Sequence, residues 1–374
     1  MAWIRRIDPS GQARRGALSN RYLIATFALA SVLMFGCFTT TFAQRYNQTN
    51  LVSDQPGLAP VTDPALVNPW GLAASTASPW WVSDNGTGLS TLYSGAGQKL
   101  SLEVTVPPPP GAAPPSTPTG IVFNGTTDFG GAHFIFVTED GTISGWTSGT
   151  NAVLKFTSPV KAVYKGATIA QNNGVNLLYV ANFFNASVDV FDANYAPATL
   201  PTGAFKDWSI PSGFAPFNVV NIGGRIFVTY AKQADGKEDE VDAPGLGMVD
   251  IYKPNGDLDL RLKRGRWLNA PWGVAIAPSG FSRENDRLLV GQFGSGVIAT
   301  YDLRHGNFHG LLRGEHGRPI QIDGLWALVF GNGAAAGPLD SLFFTAGIDD
   351  ENHGLFGTLT RIPREDNDGD DDDD

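Results

Sequence analysis

The residues best suited to chemistry are Asn68 and Trp70, Asn269 and Trp272, and Asp323 and Trp326. They fall in three short phrases, "NPWG" at 68–71, "NAPWG" at 269–273 and "DGLW" at 323–326. Each phrase sets an amide or carboxylate oxygen two or three residues before an indole. The indole offers a flat, electron-rich face and the oxygen a directed hydrogen bond. Together they suit a sugar, a lactone, a peptide or a cation. The same residues also serve as structure, because tryptophans wedge between elements and Asn side chains bond turn backbone. Both roles stay open at this point.

Other chemistry is thinly represented. Asp349, Asp350 and Glu351, in "GIDDENHG", are the candidates for holding calcium, although clustered surface carboxylates are mostly only solvated. His305, His309 and His316 lie close in sequence but match no ligand spacing on a regular element. There is no G-x-S-x-G elbow, no H-E-x-x-H and no phosphate-cradling loop. Whether the chain is an enzyme is left open by its residues.

The elements that must position these groups repeat. "NPWGLAAS", "TPTGIVFN", "YKGATIA", "APFNVVNI", "NAPWGVAIA" and "DGLWALVF" each open a unit. Each leads on to two further short apolar runs, at a period of roughly fifty residues. Most units add a fourth strand-like run, such as "KLSLEVTV" or "FKDWSI". Four strands in each of six units reads as an all-β fold, a six-bladed β-propeller. The last unit lacks a fourth strand, and "TNLVSD" at 49–54 is a spare one. Pairing it into the last blade closes the ring and removes an open edge.

In an antiparallel meander the start of the innermost strand and the end of the second lie on one face. The three phrases therefore converge on the mouth of the central channel. The second-to-third strand loops share that face and are acidic. The longest, "AKQADGKEDEVDAPGLG" at 231–247, exceeds an ordinary hairpin loop.

The 374 residues are 42% hydrophobic and 17% charged, a globular composition. Residues 1–43 read as a signal peptide: five Arg, then the apolar run "YLIATFALASVLMFGCF", then "TFA". That places the protein in the periplasm or outside the cell. An uncleaved membrane anchor is the alternative, and "MFGC" at Cys37 weakly suggests lipidation. Cys37 is the only cysteine, so cleavage after Ala43 leaves no thiol or disulfide. Taking five positive charges and one negative from the net −10 leaves −14, which argues against nucleic acid or an anionic membrane as partner. A monomer is expected. The domains are then 1–43 signal peptide, 44–363 propeller and 364–374 disordered acidic tail.

The strand pattern "LLYVANF…VDVFD" resembles NHL-type propeller repeats. More specifically, "NLVSDQPGLAPVTDPALVNPWGLA", "VYKGATIA", "YAKQ", "IDGLWAL" and "LFFTAGIDDENHGLFG" resemble a bacterial family of exported proteins, some carrying a PEP-CTERM sorting signal. That resemblance covers about residues 46–363 and brings no established activity. A more distant resemblance to gluconolactonase-like propellers implies a channel-bound divalent cation. Their metal-binding Glu before the first inner strand is replaced here by Asn68. The expected function is an exported scaffold that binds a small molecule, glycan or protein through its top face. The alternative is a metal-dependent lactonase or esterase-like hydrolase, with calcium as the possible cofactor.

Overall fold

The computed structural model describes residues 44–282 and 287–363. The signal peptide and acidic tail expected at 1–43 and 364–374 lie outside the described residues. The rest is a ring of six sheets, antiparallel but for two short parallel pairings of Arg45–Ser53, with one three-residue 3-10 turn, Phe129–Gly131. The innermost strands are Pro69–Ala73, Pro118–Phe123, Tyr164–Asn172, Phe214–Ile222, Pro271–Ile276 and Leu325–Phe330. Each packs against the next, and the sixth against the first, so the ring is closed.

Closure is made by the strand Arg45–Ser53. It pairs antiparallel with His353–Arg361, from Tyr46 opposite Arg361 to Ser53 opposite Leu355. The spare strand expected from the sequence thus fills the last blade. Its outward residues are polar, while Val52 and Ser53 are fully buried.

The apolar residues of adjacent blades meet in six hydrophobic clusters, so the core is a set of wedges between blades. The cluster between the last and first blades extends inward to the axis and includes Trp70, Phe217, Trp272 and Trp326. The near-continuous burial of the inner and second strands fits this, because a strand covered on both faces buries every side chain and only its ends reach water.

The third blade departs from the repeat. "FKDWSI" at 205–210 is not its fourth strand: those residues form turns, with Phe205 at φ 56°. Asp207 instead binds Arg261 of the fourth blade through two hydrogen bonds, 2.7 and 2.9 Å. Pro201 and Gly203 turn the chain just before the run that alternation alone had suggested, their carbonyls accepting from the Ala204 and Lys206 N–H groups. Trp208 is left 85% exposed.

Candidate functional site

Aligning the inner strands exposes one equivalent position per blade: Trp70, Thr119, Lys165, Phe217, Trp272 and Trp326. A register shift lies at this level in every inner hairpin. Such bulges re-aim side chains. Glycines beside them let the blades approach. A Cβ on Gly71 would stand 2.5 Å from the Thr119 carbonyl, and one on Gly273 2.5 Å from the Trp326 carbonyl.

The result is an aromatic plug across the axis. Trp70 and Trp326 stack with ring centres 3.5 Å apart. Trp272 meets both edge-on, at 6.3 and 5.9 Å. Phe217 packs at 6.4 Å from Trp70 and 5.7 Å from Trp326. Contacts between blades one and five, or one and four, are possible only across the centre of the ring. The three tryptophans are buried, so their faces are spent on one another.

Lys165 occupies the third-blade place in this ring and is 1% exposed. Its Nζ lies 4.8 Å from the centre of the Trp70 ring and also faces Phe183 and Phe217. Above it stand carboxylates from alternate blades. Glu139 accepts a hydrogen bond from Nζ at 2.6 Å, and Glu240 lies 3.8 Å away. Glu351 accepts from Asn68 Nδ2 at 2.6 Å. Asn85 donates to Glu139 at 2.9 Å, and Asn68 lies 3.4 Å from Asn85 Oδ1. Asn68 Oδ1 also accepts from the Trp326 indole at 3.1 Å, tying the polar ring to the plug.

The electrostatics follow from burial and crowding. Desolvation raises the Glu240 carboxyl to about 7. Lys165 opposes that rise, and Glu351 and Glu139 add to it. Glu351 is raised as well, by burial first, against the hydrogen bond from Asn68. Burial alone would lower the Lys165 ammonium, yet Glu139 and Glu240 carry it above the ordinary lysine value.

The six residues singled out in the sequence are placed unequally. Trp70, Trp272 and Trp326 form the plug, and Asn68 joins the polar ring. Asn269 does not repeat the role of Asn68. The extra residue in "NAPWG" puts Ala270 at φ 46°, the place Asn68 takes at the same angle in the first blade. Asn269 is buried one step earlier, where its N–H donates to Gln292 Oε1 at 2.8 Å. Asp323 is exposed and accepts from the Asp349 N–H at 2.9 Å.

Asp349, Asp350 and Glu351 all have positive φ, so successive side chains diverge. Glu351 turns inward to Asn68, and Asp349 and Asp350 remain exposed. Among the described residues no group of three His, Cys, Asp or Glu could hold a metal ion. Oxygen donors around the channel have the right chemistry for calcium. A divalent cation nevertheless does not fit the residues present, because the Lys165 ammonium already holds the centre between Glu139 and Glu240.

Reasoning from motifs missed Lys165, and it reached Glu139 and Glu240 only as members of the acidic loops on that face, with no role. Lys165 was visible as the third-unit counterpart of the tryptophans, in "YKG" beside "PWG". Glu240 had no such signal: it sits in the long loop, on the two-residue strand Glu240–Val241 that pairs with Lys232 and Gln233.

Six sheets, each presenting one strand to a plugged axis, define the class as a six-bladed β-propeller. Solved structures agree in fold. A structural genomics protein of unknown function from Bacteroides thetaiotaomicron VPI-5482 has a TM-score of 0.55 at 12% identity, over 84% of this chain and 76% of that one. A glucose dehydrogenase gives 0.54 at 14%, over 85% and 99%. A streptogramin B lyase gives 0.50 at 13%, over 86% and 98%. Neighbours of such varied function share architecture and fix no reaction.

By sequence, the chain belongs to one family with the uncharacterized proteins R648 and L690 of Acanthamoeba polyphaga mimivirus. R648 is 30% identical over 83% of this chain and 79% of that protein. L690 is 30% identical over 83% and 84%. These relatives are viral, where the sequence phrases resembled a bacterial exported family. No family model matches the chain.

Proposed function

We propose that the protein is a binding scaffold acting through its top face, and that the mouth selects a ligand bearing a cationic group. One observation carries this reading: Glu139 and Glu240 meet a single buried ammonium, and Glu351, from the third alternate blade, joins the same polar ring through Asn68. The carboxylates outnumber the cation. Asp242, Asp323, Asp349 and Asp350 extend the acidic surface around them. Such a field draws cations and repels anions before contact. The tryptophans contribute by fixing the floor and not by touching the ligand.

We also propose that it works after export, as a monomer in the periplasm or outside the cell. The composition of residues 1–43, a basic stretch and then an apolar run, supports the export part of this reading. The hydrolase reading, with a divalent cation in the channel, would require that ion to displace Lys165.

Titration calorimetry with trilysine, a neutral trisaccharide and citrate tests the proposal. Trilysine should bind, weaken with salt, and weaken roughly tenfold in Glu139→Gln, as loss of one close charge pair predicts. Preference for the trisaccharide or citrate, or indifference to Glu139→Gln and to Glu351→Gln, would overturn it.

A further inference from the structure

The channel below the plug is a different environment. A cavity of about 320 Å³ lies there, and all six inner strands contribute to its wall. Trp272 forms part of its roof, with Nε1 already donating to the Lys165 carbonyl at 3.1 Å. Ala73, Val122, Ala167, Asn221 and Val329 are among the lining residues. None of the lining side chains ionises, whereas the mouth on the other side of the plug is dense with carboxylates.

Two kinds of surface line this well. The side chains are small or aliphatic, so the wall offers apolar contact. The polar ones are engaged locally: Thr168 Oγ1 accepts from the Asn221 N–H at 3.0 Å, and Asn221 Nδ2 donates to the Ile169 carbonyl at 2.8 Å. The main chain supplies the rest. Each inner strand stands at the end of its sheet, so its axial edge has no strand partner. At the level of the plug side chains cover part of this edge, as Asn218 does for the Trp272 carbonyl and Thr345 for the Trp70 carbonyl. Below it, side chains again cover part of the edge, as Thr168 does for the Asn221 N–H and Asn221 for the Ile169 carbonyl, and the main-chain groups left over are what the strand edges can offer a ligand.

We infer that the lower channel is a second binding site, for a small uncharged molecule that combines hydroxyl or amide groups with an apolar face. Its volume is at the lower end of small-molecule pockets, which are mostly apolar with a few fixed polar groups. An ion has no counter-charge to meet there, and leaving its water without one is costly. A neutral cyclic alcohol meets backbone donors and acceptors at its rim and aliphatic side chains at its faces. This site is independent of the cationic selection proposed for the mouth.

Three size-matched probes test it: cis-1,2-cyclohexanediol, cyclohexanecarboxylate and cyclohexylammonium, each titrated by calorimetry and by chemical-shift perturbation. The diol should bind, and the two ions should bind at least roughly tenfold more weakly, as burial of an unpaired charge demands. Ala73→Phe and Ala167→Phe fill the well from two different blades, the first and the third, at half-buried positions. Each should abolish diol binding, while Glu139→Gln at the mouth should leave it unchanged. If one filling variant fails to fold, the other carries the comparison. No diol binding, equal binding of the ions, or diol binding that survives a folded filling variant would overturn the inference. Loss of diol binding in Glu139→Gln would place the diol at the mouth and overturn it too.

Discussion

The Lys165 ammonium lies 4.8 Å from the centre of the Trp70 ring. A cation over an indole face is attracted by the ring quadrupole, and more strongly once desolvated. The contact joins the two halves of the mouth, because Trp70 belongs to the plug and Lys165 to the polar ring. The charged layer and the apolar layer are therefore one packed unit.

Replacing that lysine should be expensive. Lys165→Met removes the ammonium and leaves Glu139 and Glu240 close together with no cation. Breaking a buried pair from one side typically costs about 3–5 kcal/mol. Urea unfolding should show that loss. Lys165→Met combined with Glu139→Gln and Glu240→Gln should recover most of it. A single variant as stable as the parent would mean the ring is open to water.

Glu240 gives a pH dependence of defined sign. Its carboxyl is raised in the folded protein from 4.5 to about 7. The stability it contributes is fully present below its unfolded value and is lost as pH rises through the folded one. The parent should therefore weaken relative to Glu240→Gln between about pH 4.5 and 7. Asp250, also raised to about 7 by burial, titrates in both proteins and cancels in the difference. Urea midpoints of the two proteins across this range should converge at the acid end. Parallel profiles would show that Glu240 is not desolvated.

Trp272→Ala and Asn269→Ala should separate packing from recognition. Trp272 is 5% exposed and touches two other tryptophans, so truncation should cost about 3–5 kcal/mol. Asn269 lies off the polar ring, and its loss should leave trilysine binding at the parent level. Thermal melts and calorimetry read the two effects. Weakened trilysine binding in a stably folded Asn269→Ala would extend the mouth to the fifth blade.

Deleting residues 44–53 should open the last blade. The exposed edge of His353–Arg361 would then be free to pair with other chains. Light scattering should detect aggregates, and the melting midpoint should fall. A monodisperse product with the parent's midpoint would show that this pairing is not needed.

Much of the architecture was legible because it is periodic. Six units, a missing last strand and a spare first strand are visible as pattern, and "PWG" marks the level of the plug. The site was legible only where it obeys the same period. Lys165 does, as a lysine written where other blades write tryptophan. Glu240 does not, since it reaches the axis from a long loop whose path depends on pairing with Lys232 and Gln233. "FKDWSI" shows the converse error. Its alternation fits a strand, but the Asp207 carboxylate gains more from Arg261 and Arg264 of the neighbouring blade than from lying on a sheet edge. Local pattern cannot see a partner fifty residues away.

The strand Arg45–Ser53 also sets an order of assembly. Ser53 Oγ donates to the Gly354 carbonyl at 2.7 Å, across 301 positions of chain. Closing so long a loop costs about 2–3 kcal/mol more than closing a hairpin of roughly twenty residues. The other five blades can form as local hairpins. The sixth waits for residues from both ends, so it is expected to form last and to control the rate at which the ring locks. Until then the early strand stands unpaired on the nascent chain. Asn47, Gln48, Thr49 and Asn50 lie consecutively in it, and this polar stretch makes the waiting strand a poor template for its neighbours.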